Sequence, residues 1–352
     1  MKAAVFHAPG DIRVEDVPEP TVPDDGILVR VRAASICGTD LRISKHGHFK
    51  IPQGQHRVLG HEIAGDIVAV GHQVETHAVG ERVSVTPNVG CGRCEFCLVG
   101  LNNMCPDYEA FGVSMDGAFE ELMAVPGFAL QRGNVFRIPD GVSYADAALT
   151  EPFSCCYRGQ QALHIGMDDS VLVVGAGPIG IFHLLLSRLS GARRTIVANA
   201  GRPRLDIAER LGADVTVDVT TTDLADVVEA ETGGRGVDVA ITCVSAPQVQ
   251  SDTVQLLATH GRLNFFAGLG GGEHPPIDTN RLHYKGLVLT GTTGSSNADY
   301  AASLQLVADG RVRPSDLVTM TVPLEGIADA FEHSASGAGM KAMVVFDGED
   351  VR

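Results

Sequence analysis

Residues 171–180 read VLVVGAGPIG, and this stretch decides the fold. Four apolar residues in a row suit a strand covered on both faces, as in a parallel sheet. Glycines at 175, 177 and 180 then form a tight turn whose backbone can approach a pyrophosphate at the N-terminus of the next helix. A GxGxxG run alone is a weak signal. Here it sits after a strand, before a helix over 181–190 and ahead of a second strand ending at Asn199, which is the context it requires. Gly175, Gly177, Pro178, Ile179 and Gly180 are therefore candidate cofactor contacts.

Working outward towards the C-terminus, short strands over 171–174, 195–198, 237–242 and 263–266 alternate with helical segments over 179–190, 203–211 and 248–258. That rhythm predicts a Rossmann-type, doubly wound parallel sheet with helices on both faces. A further helix over 298–308 and a strand near 343–346 follow. Where NAD-binding sites end the second strand with an acid that binds the ribose hydroxyls, this chain has Asn199, followed by Arg202 and Arg204. The repulsion of a 2′-phosphate is gone and two cations stand near it, so NADP(H) is favoured over NAD(H). The alternative is that both arginines only solvate the next helix and NAD binds through Asn199.

Working outward towards the N-terminus, residues 1 to about 150 are rich in Val, Gly and Pro, with alternating segments over 27–33 and 63–70. This predicts a mostly β domain, so the whole chain reads as a two-domain α/β protein. The 352 residues, 44% hydrophobic and 20% charged, suffice for two cores. A formal charge of −16 with scattered cations gives no surface for nucleic acid. The longest apolar stretch, 171–186, is broken by glycines and is too short to span a bilayer, so no membrane partner is expected. The first twenty residues lack the pattern of a signal peptide, and a cytoplasmic location is expected.

Two sets of residues have metal chemistry. CGRCEFCLVGLNNMC places Cys91, Cys94, Cys97 and Cys105 in the spacing CxxCxxCx7C, which can close on one tetrahedral zinc and leave no open position, a structural site. The second set is dispersed: Cys37 in ICGTD, His61 and Glu62 in GHE, and Glu151 in TEP. Each alone has an ordinary explanation as a core thiol, a satisfied imidazole or a loop acid. Together they make a mixed donor set whose last position can be held by water or substrate, as a catalytic zinc needs.

On Cys37-Gly38-Thr39-Asp40, Gly60-His61-Glu62 followed by Gly65 and Gly71, the four-cysteine loop, Glu151-Pro152 and the glycine turn at 175–180, the chain resembles the zinc-containing medium-chain dehydrogenase/reductase family. The likeness is strongest to its sorbitol (polyol) dehydrogenase branch. The resemblance implies a GroES-like β-barrel catalytic domain over 1–152, completed by 289–352, and a Rossmann nucleotide-binding domain over 153–288. It implies two zinc ions per chain, with Cys37 and His61 on the catalytic one and Glu62 or Glu151 completing the shell in different states. By the same resemblance Asp40 orients the histidine and Thr39 relays the alcohol proton. Arg42 stands where many relatives have the histidine at the relay exit, and it cannot shuttle protons at neutral pH. His46, His48 or water are the candidates to replace it.

The implied reaction is hydride transfer between a nicotinamide and a small-molecule secondary alcohol or ketone, in particular a polyol, cyclitol, aminocyclitol or sugar derivative. Segment 280–294, NRLHYKGLVLTGTTG, resembles bacterial sugar-alcohol and aminocyclitol dehydrogenases, although Gly294 stands near a position where polyol enzymes often carry Arg. Threonine or simple alcohol dehydrogenation is the alternative within the class. A zinc-free quinone or enone reductase, or a nucleotide-binding regulator without turnover, are the alternatives outside it. The resemblance also implies a homodimer or homotetramer, joined through the sheet edge near 287–289.

Overall fold

A computed structural model describes residues 1–346. The chain forms two compact units, one of Met1–Ser154 with the described residues from Gly294 on, the other of Cys155–Thr293.

The first unit is mostly β. Its seven-stranded sheet runs in the order Val135–Arg137, Arg82–Val85, Glu62–Val70, Ile27–Ser35, Lys341–Val345 and Val318–Pro323, with Leu122–Val125 also pairing with Ile27–Ser35. All its pairings are antiparallel except that of Val318–Pro323 with Lys341–Val345. Alternation explains the central strand: Ile27, Val29 and Val31 are buried, while Leu28, Arg30 and Arg32 are less so. These side chains meet Ile63, Ile67, Val83, Val85 and Met123 in one apolar core. Lys341–Val345 comes from the far end of the sequence and lies inside this sheet, pairing Met343 with Ser35 and Val345 with Ala33.

The second unit carries a six-stranded sheet, every pairing parallel. In order it runs Val215–Asp218, Arg194–Asn199, Ser170–Val174, Val237–Thr242, Leu257–Phe265, Val288–Gly291. Numbered along the chain this is 3-2-1-4-5-6, the doubly wound order. Ser170–Val174 is buried at every position, as a strand with helices on both faces must be.

Several boundaries differ from expectation for local reasons. The helix expected over 248–258 ends at Gln255, because Leu257 already pairs with Val237; the strand it opens is irregular near His260, which takes a φ of +61°. Val215–Asp218 and the helix Leu224–Thr232 carry no apolar run. The strand is a half-exposed sheet edge made partly of Thr and Asp. The domain division expected at 288/289 falls inside Val288–Gly291, which pairs along its length with Leu257–Phe265, so the compact unit continues to Thr293. Glu151-Pro152 lies within the 18-residue helix Tyr144–Gln161, which excludes the loop-acid alternative for Glu151.

His183, on the helix Pro178–Leu189, is fully buried and its Nε2 has no hydrogen-bond partner. Burial pushes its pKa down to about 3, so it stays neutral in the fold and takes up a proton only on unfolding. With a folded pKa below the unfolded value near 6.5, stability is full above that value and declines as pH falls through it. The expected loss is about 2 kcal/mol by pH 5. Urea midpoints at pH 7.5 and pH 5 should therefore converge in His183→Leu relative to the parent protein. An unchanged pH dependence in that variant would contradict the assignment.

Candidate active site and cofactor turn

Cys37 caps the helix Gly38–His46, and the turn is held by Asp40, whose Oδ2 accepts the Cys37 amide proton at 2.8 Å. The other oxygen of Asp40 accepts from the Gly60 amide at 3.2 Å and lies 3.3 Å from Nδ1 of His61. That last approach is off the direction a hydrogen bond needs, because Nδ1 has no partner by geometry. Asp40 is fully buried on the helix that Cys37 caps: it holds the helix start and lies beside the histidine ring. Thr39, half-buried, lies on the first turn of the same helix.

The sulfur of Cys37, a ring nitrogen of His61 and a carboxylate oxygen of Glu62 all lie within 4.8 Å of one another. Burial would lower the pKa of His61, but the neighbouring Asp40 and Cys37 override it and hold the imidazole well above its ordinary value. Such a pocket concentrates negative charge and takes up a cation. A thiol, an imidazole and a carboxylate in van der Waals reach of one another suit zinc. Oε2 of Glu62, buried without a hydrogen bond, is a further donor of the kind a metal would use.

Glu151 is nearly buried on the helix Tyr144–Gln161, its carbonyl accepting from Ser154 at 2.7 Å, but it is not in this group of three. Arg42 and His46 are exposed on the helix that Cys37 caps, and His48 is half-buried just beyond it. One participant was not legible in the sequence. Lys341, 4% exposed, donates to Glu62 Oε1 at 2.7 Å and stays charged, because the Glu62 carboxylate outweighs the effect of burial.

Cys91, Cys94, Cys97 and Cys105 likewise meet with all four sulfurs within 4.8 Å. Sulfurs as far apart as the 3.8 Å between Cys94 and Cys105 are ligand spacing, not a disulfide. Backbone amides of Arg93 and Cys94 draw the Cys91 thiol down to about 6. Burial, and then its sulfur neighbours, push Cys97 up to about 12. Four thiolates cannot share this space without a dication, and a closed tetrahedral zinc supplies one.

In the second unit the helix Pro178–Leu189 starts with Gly177 as its cap and Pro178 in its first turn, Ile179 and Gly180 following. A Cβ at Gly180 would stand 1.7 Å from the Gly175 carbonyl oxygen, so only glycine closes this turn. Asn199 ends the adjacent strand and spends its side chain on the turn itself: Oδ1 accepts from the Ala176 amide at 3.1 Å and Nδ2 donates to the Ala200 carbonyl at 2.9 Å. The two arginines separate. Arg202 is held by Asp206 at 2.7 Å and Glu209 at 2.5 Å, on its own helix. Arg204 is half-buried, and its guanidinium lies 3.6 Å from where a Cβ on Gly177 would be.

Gly294 has a φ of +58° and any Cβ there would come 3.2 Å from Asn88 Nδ2. A side chain at this position would press on the Asn88 amide and sit on a left-handed backbone that favours glycine.

A glycine-cradled helix N-terminus in one unit and a thiol–imidazole–carboxylate pocket beside a four-cysteine lobe in the other define a zinc- and nicotinamide-using oxidoreductase. Residues 23–140 match the family described as the alcohol dehydrogenase GroES-like domain, and residues 178–309 the zinc-binding dehydrogenase family. The chain is 32% identical to sorbitol dehydrogenase of Bacillus subtilis (strain 168), over 95% of this chain and 93% of that protein. It is 32% identical to L-threonine 3-dehydrogenase of Rhizobium etli (strain CIAT 652), covering 98% of each. A zinc-binding dehydrogenase of Sinorhizobium meliloti 1021, solved bound to NADP, superposes with a TM-score of 0.90 at 29% identity, covering 98% of this chain and 99% of that one. The chain belongs to the zinc-binding, medium-chain alcohol dehydrogenase family, and it is an oxidoreductase enzyme. Among the described residues no helix is long and apolar enough to cross a membrane.

Proposed function

We propose that the protein oxidises a secondary alcohol of a polyol, cyclitol, aminocyclitol or sugar derivative, or reduces the matching ketone, with NADP(H) as the preferred cofactor. The observation that carries the reading is the convergence of Cys37, His61 and Glu62 in a buried pocket with Asp40 behind the histidine. Bound zinc would supply Lewis acidity to the substrate oxygen, and the nicotinamide would supply the hydride acceptor. Cys37 and His61 would hold the metal, with Glu62 or Glu151 able to complete its shell. Asp40 holds the imidazole in one orientation. The Thr39 hydroxyl, able to accept and donate together, takes the alcohol proton. Cys91, Cys94, Cys97 and Cys105 would hold the second, structural zinc.

The similarity to sorbitol dehydrogenase supports a polyhydroxylated substrate, and the similarity to L-threonine 3-dehydrogenase makes threonine the second reading. A screen of zinc-loaded enzyme against polyols, cyclitols, amino sugars and L-threonine, with both nicotinamides, separates the two. Turnover of L-threonine alone would replace the polyol reading, and cofactor binding without turnover of any of them would reject both.

The preference for NADP(H) is expected to depend on Arg204 and not on Arg202, whose charge is met by Asp206 and Glu209. Arg204→Gln should raise KM for NADPH about tenfold or more while leaving KM for NADH within about twofold, a charge-assisted contact to phosphate being worth roughly 1.5–3 kcal/mol. Arg202→Gln should change neither. Equal KM values for the two cofactors in the parent enzyme would contradict the preference.

A catalytic role for the first compact unit and a nucleotide-binding role for the second, a cytoplasmic location and a homodimer or homotetramer complete the reading. Val288–Gly291 is an edge strand of the parallel sheet with Val288 53% exposed, which supports pairing of two copies there.

A further inference from the structure

Among the described residues Lys341 is a lysine buried against the candidate metal pocket, and neither its neighbours in sequence nor its spacing mark it. It stands at the start of Lys341–Val345, and its Nζ donates to the Ile36 carbonyl oxygen at 2.7 Å and to Glu62 Oε1 at 2.7 Å. The same nitrogen lies 2.7 Å from Oε2 of Glu62 as well, outside hydrogen-bond geometry but in ion-pair contact. Glu62 is fully buried, so its charge is balanced from only two sides: by this ammonium, and by whatever cation Cys37 and His61 hold.

We propose that Lys341 is a positioning residue that restrains Glu62 from becoming a permanent metal ligand, keeping one metal position open to water or substrate. This rests on the reading of Cys37, His61 and Glu151 as metal ligands. The argument is one of competing counter-charges. With Glu151 as the third ligand, a carboxylate within 4.8 Å of the thiolate and imidazole on a dication would fill the fourth position and close the shell if the metal were its only buried partner. A closed shell is a structural site, and Lewis acid chemistry needs an open one. With the ammonium shared between both oxygens, Glu62 can leave or rejoin the metal without being left as a lone buried charge.

The test uses the full-length enzyme with Co(II) at the catalytic position, read by its visible absorption, and imidazole as the probe ligand. Metal content is measured first: a parent protein holding zinc only at the four cysteines would overturn the ligand reading itself. With two metals bound, Lys341→Gln should weaken imidazole binding tenfold or more and slow metal loss to a chelator tenfold or more, because Glu62 fills the open position. Adding Glu62→Gln to that variant should restore imidazole binding, and Lys341→Arg should keep the parent values. Unchanged imidazole affinity and unchanged metal release in Lys341→Gln would overturn the role given to Lys341. If Lys341→Gln does not fold, the double variant and Lys341→Arg decide. Imidazole affinity tenfold below the parent in a folded double variant, or slowed metal release in Lys341→Arg, would equally overturn it.

Discussion

Cys37→Ser is expected to lower turnover about a thousandfold or more, while the fold and nicotinamide binding survive. The size follows from removing a thiolate from the candidate catalytic metal, whose stabilisation of the developing alkoxide is worth several kcal/mol, each 1.36 kcal/mol being tenfold in rate. Survival of the fold follows from the local geometry. The helix Gly38–His46 is capped by a box in which the Asp40 carboxylate accepts from the Cys37 amide and the Cys37 side chain faces the Asp40 amide, a place that a serine hydroxyl fills as an ordinary cap. Nicotinamide binding draws on the turn at Gly175–Gly180, in the other compact unit, and should be intact by fluorescence titration with NADPH. Near-parental turnover in Cys37→Ser, or in protein verified to hold no metal at the Cys37 position, would reject the proposed chemistry.

Cys97→Ser should have the larger effect on stability. The lobe around the four cysteines has little regular structure, a four-residue helix Glu95–Leu98 and one turn at Asn102–Met104, and it buries almost no apolar surface of its own. Leu98 and Val99 are 73% and 70% exposed. A loop with so small a core depends on its metal, and structural zinc contributes on the order of 10 kcal/mol to the order of such segments. The lobe is also tied to the rest of its unit by amide side chains. Asn102 donates to the Asn88 carbonyl at 2.8 Å and accepts from the Asn297 backbone at 3.0 Å, at the start of the helix Asn297–Ala308. Loosening should therefore spread to that helix. The expected results are loss of one zinc per chain, a Tm lower by on the order of 10 °C and tryptic cleavage after the exposed Arg93 at least tenfold faster than in the parent protein. An unchanged rate of cleavage after Arg93 in the variant would show that the cysteines pack without metal.

How much of this was legible in the sequence follows from how local each signal is. Val237–Thr242 was readable residue for residue, because Val239, Ala240 and Ile241 form an apolar run next to Val237. The edge strand Val215–Asp218 was not, because one exposed side leaves no such run. The four-cysteine lobe is legible because its ligands are close in sequence. Cys37, His61 and Glu62 needed the family resemblance to be joined, since nothing in their separate surroundings links them. Glu151 precedes a proline, which in sequence suggests a helix boundary and gives the loop acid as its ordinary alternative. In the structure the helix runs through it, with Ser154 donating to the Glu151 carbonyl. The unequal arginines could have been separated earlier: Asp206 and Glu209 lie four and seven residues after Arg202, on one face of the helix. Lys341 could not, because its partner Glu62 is 279 residues away and the pairing exists only once the sheet has closed.

That distance also sets an order of events during synthesis. The strands of the parallel sheet are contiguous from residue 170 to 291, so that unit can assemble as soon as they leave the ribosome. The other sheet has a gap between Ile27–Ser35 and Val318–Pro323 until residue 345 has emerged. Its counter-charge for Glu62 arrives in the same strand. The pocket at Cys37 and His61 is thus the last part of the described chain to be finished, and a nascent chain would capture a metal ion there only after almost everything else had been made.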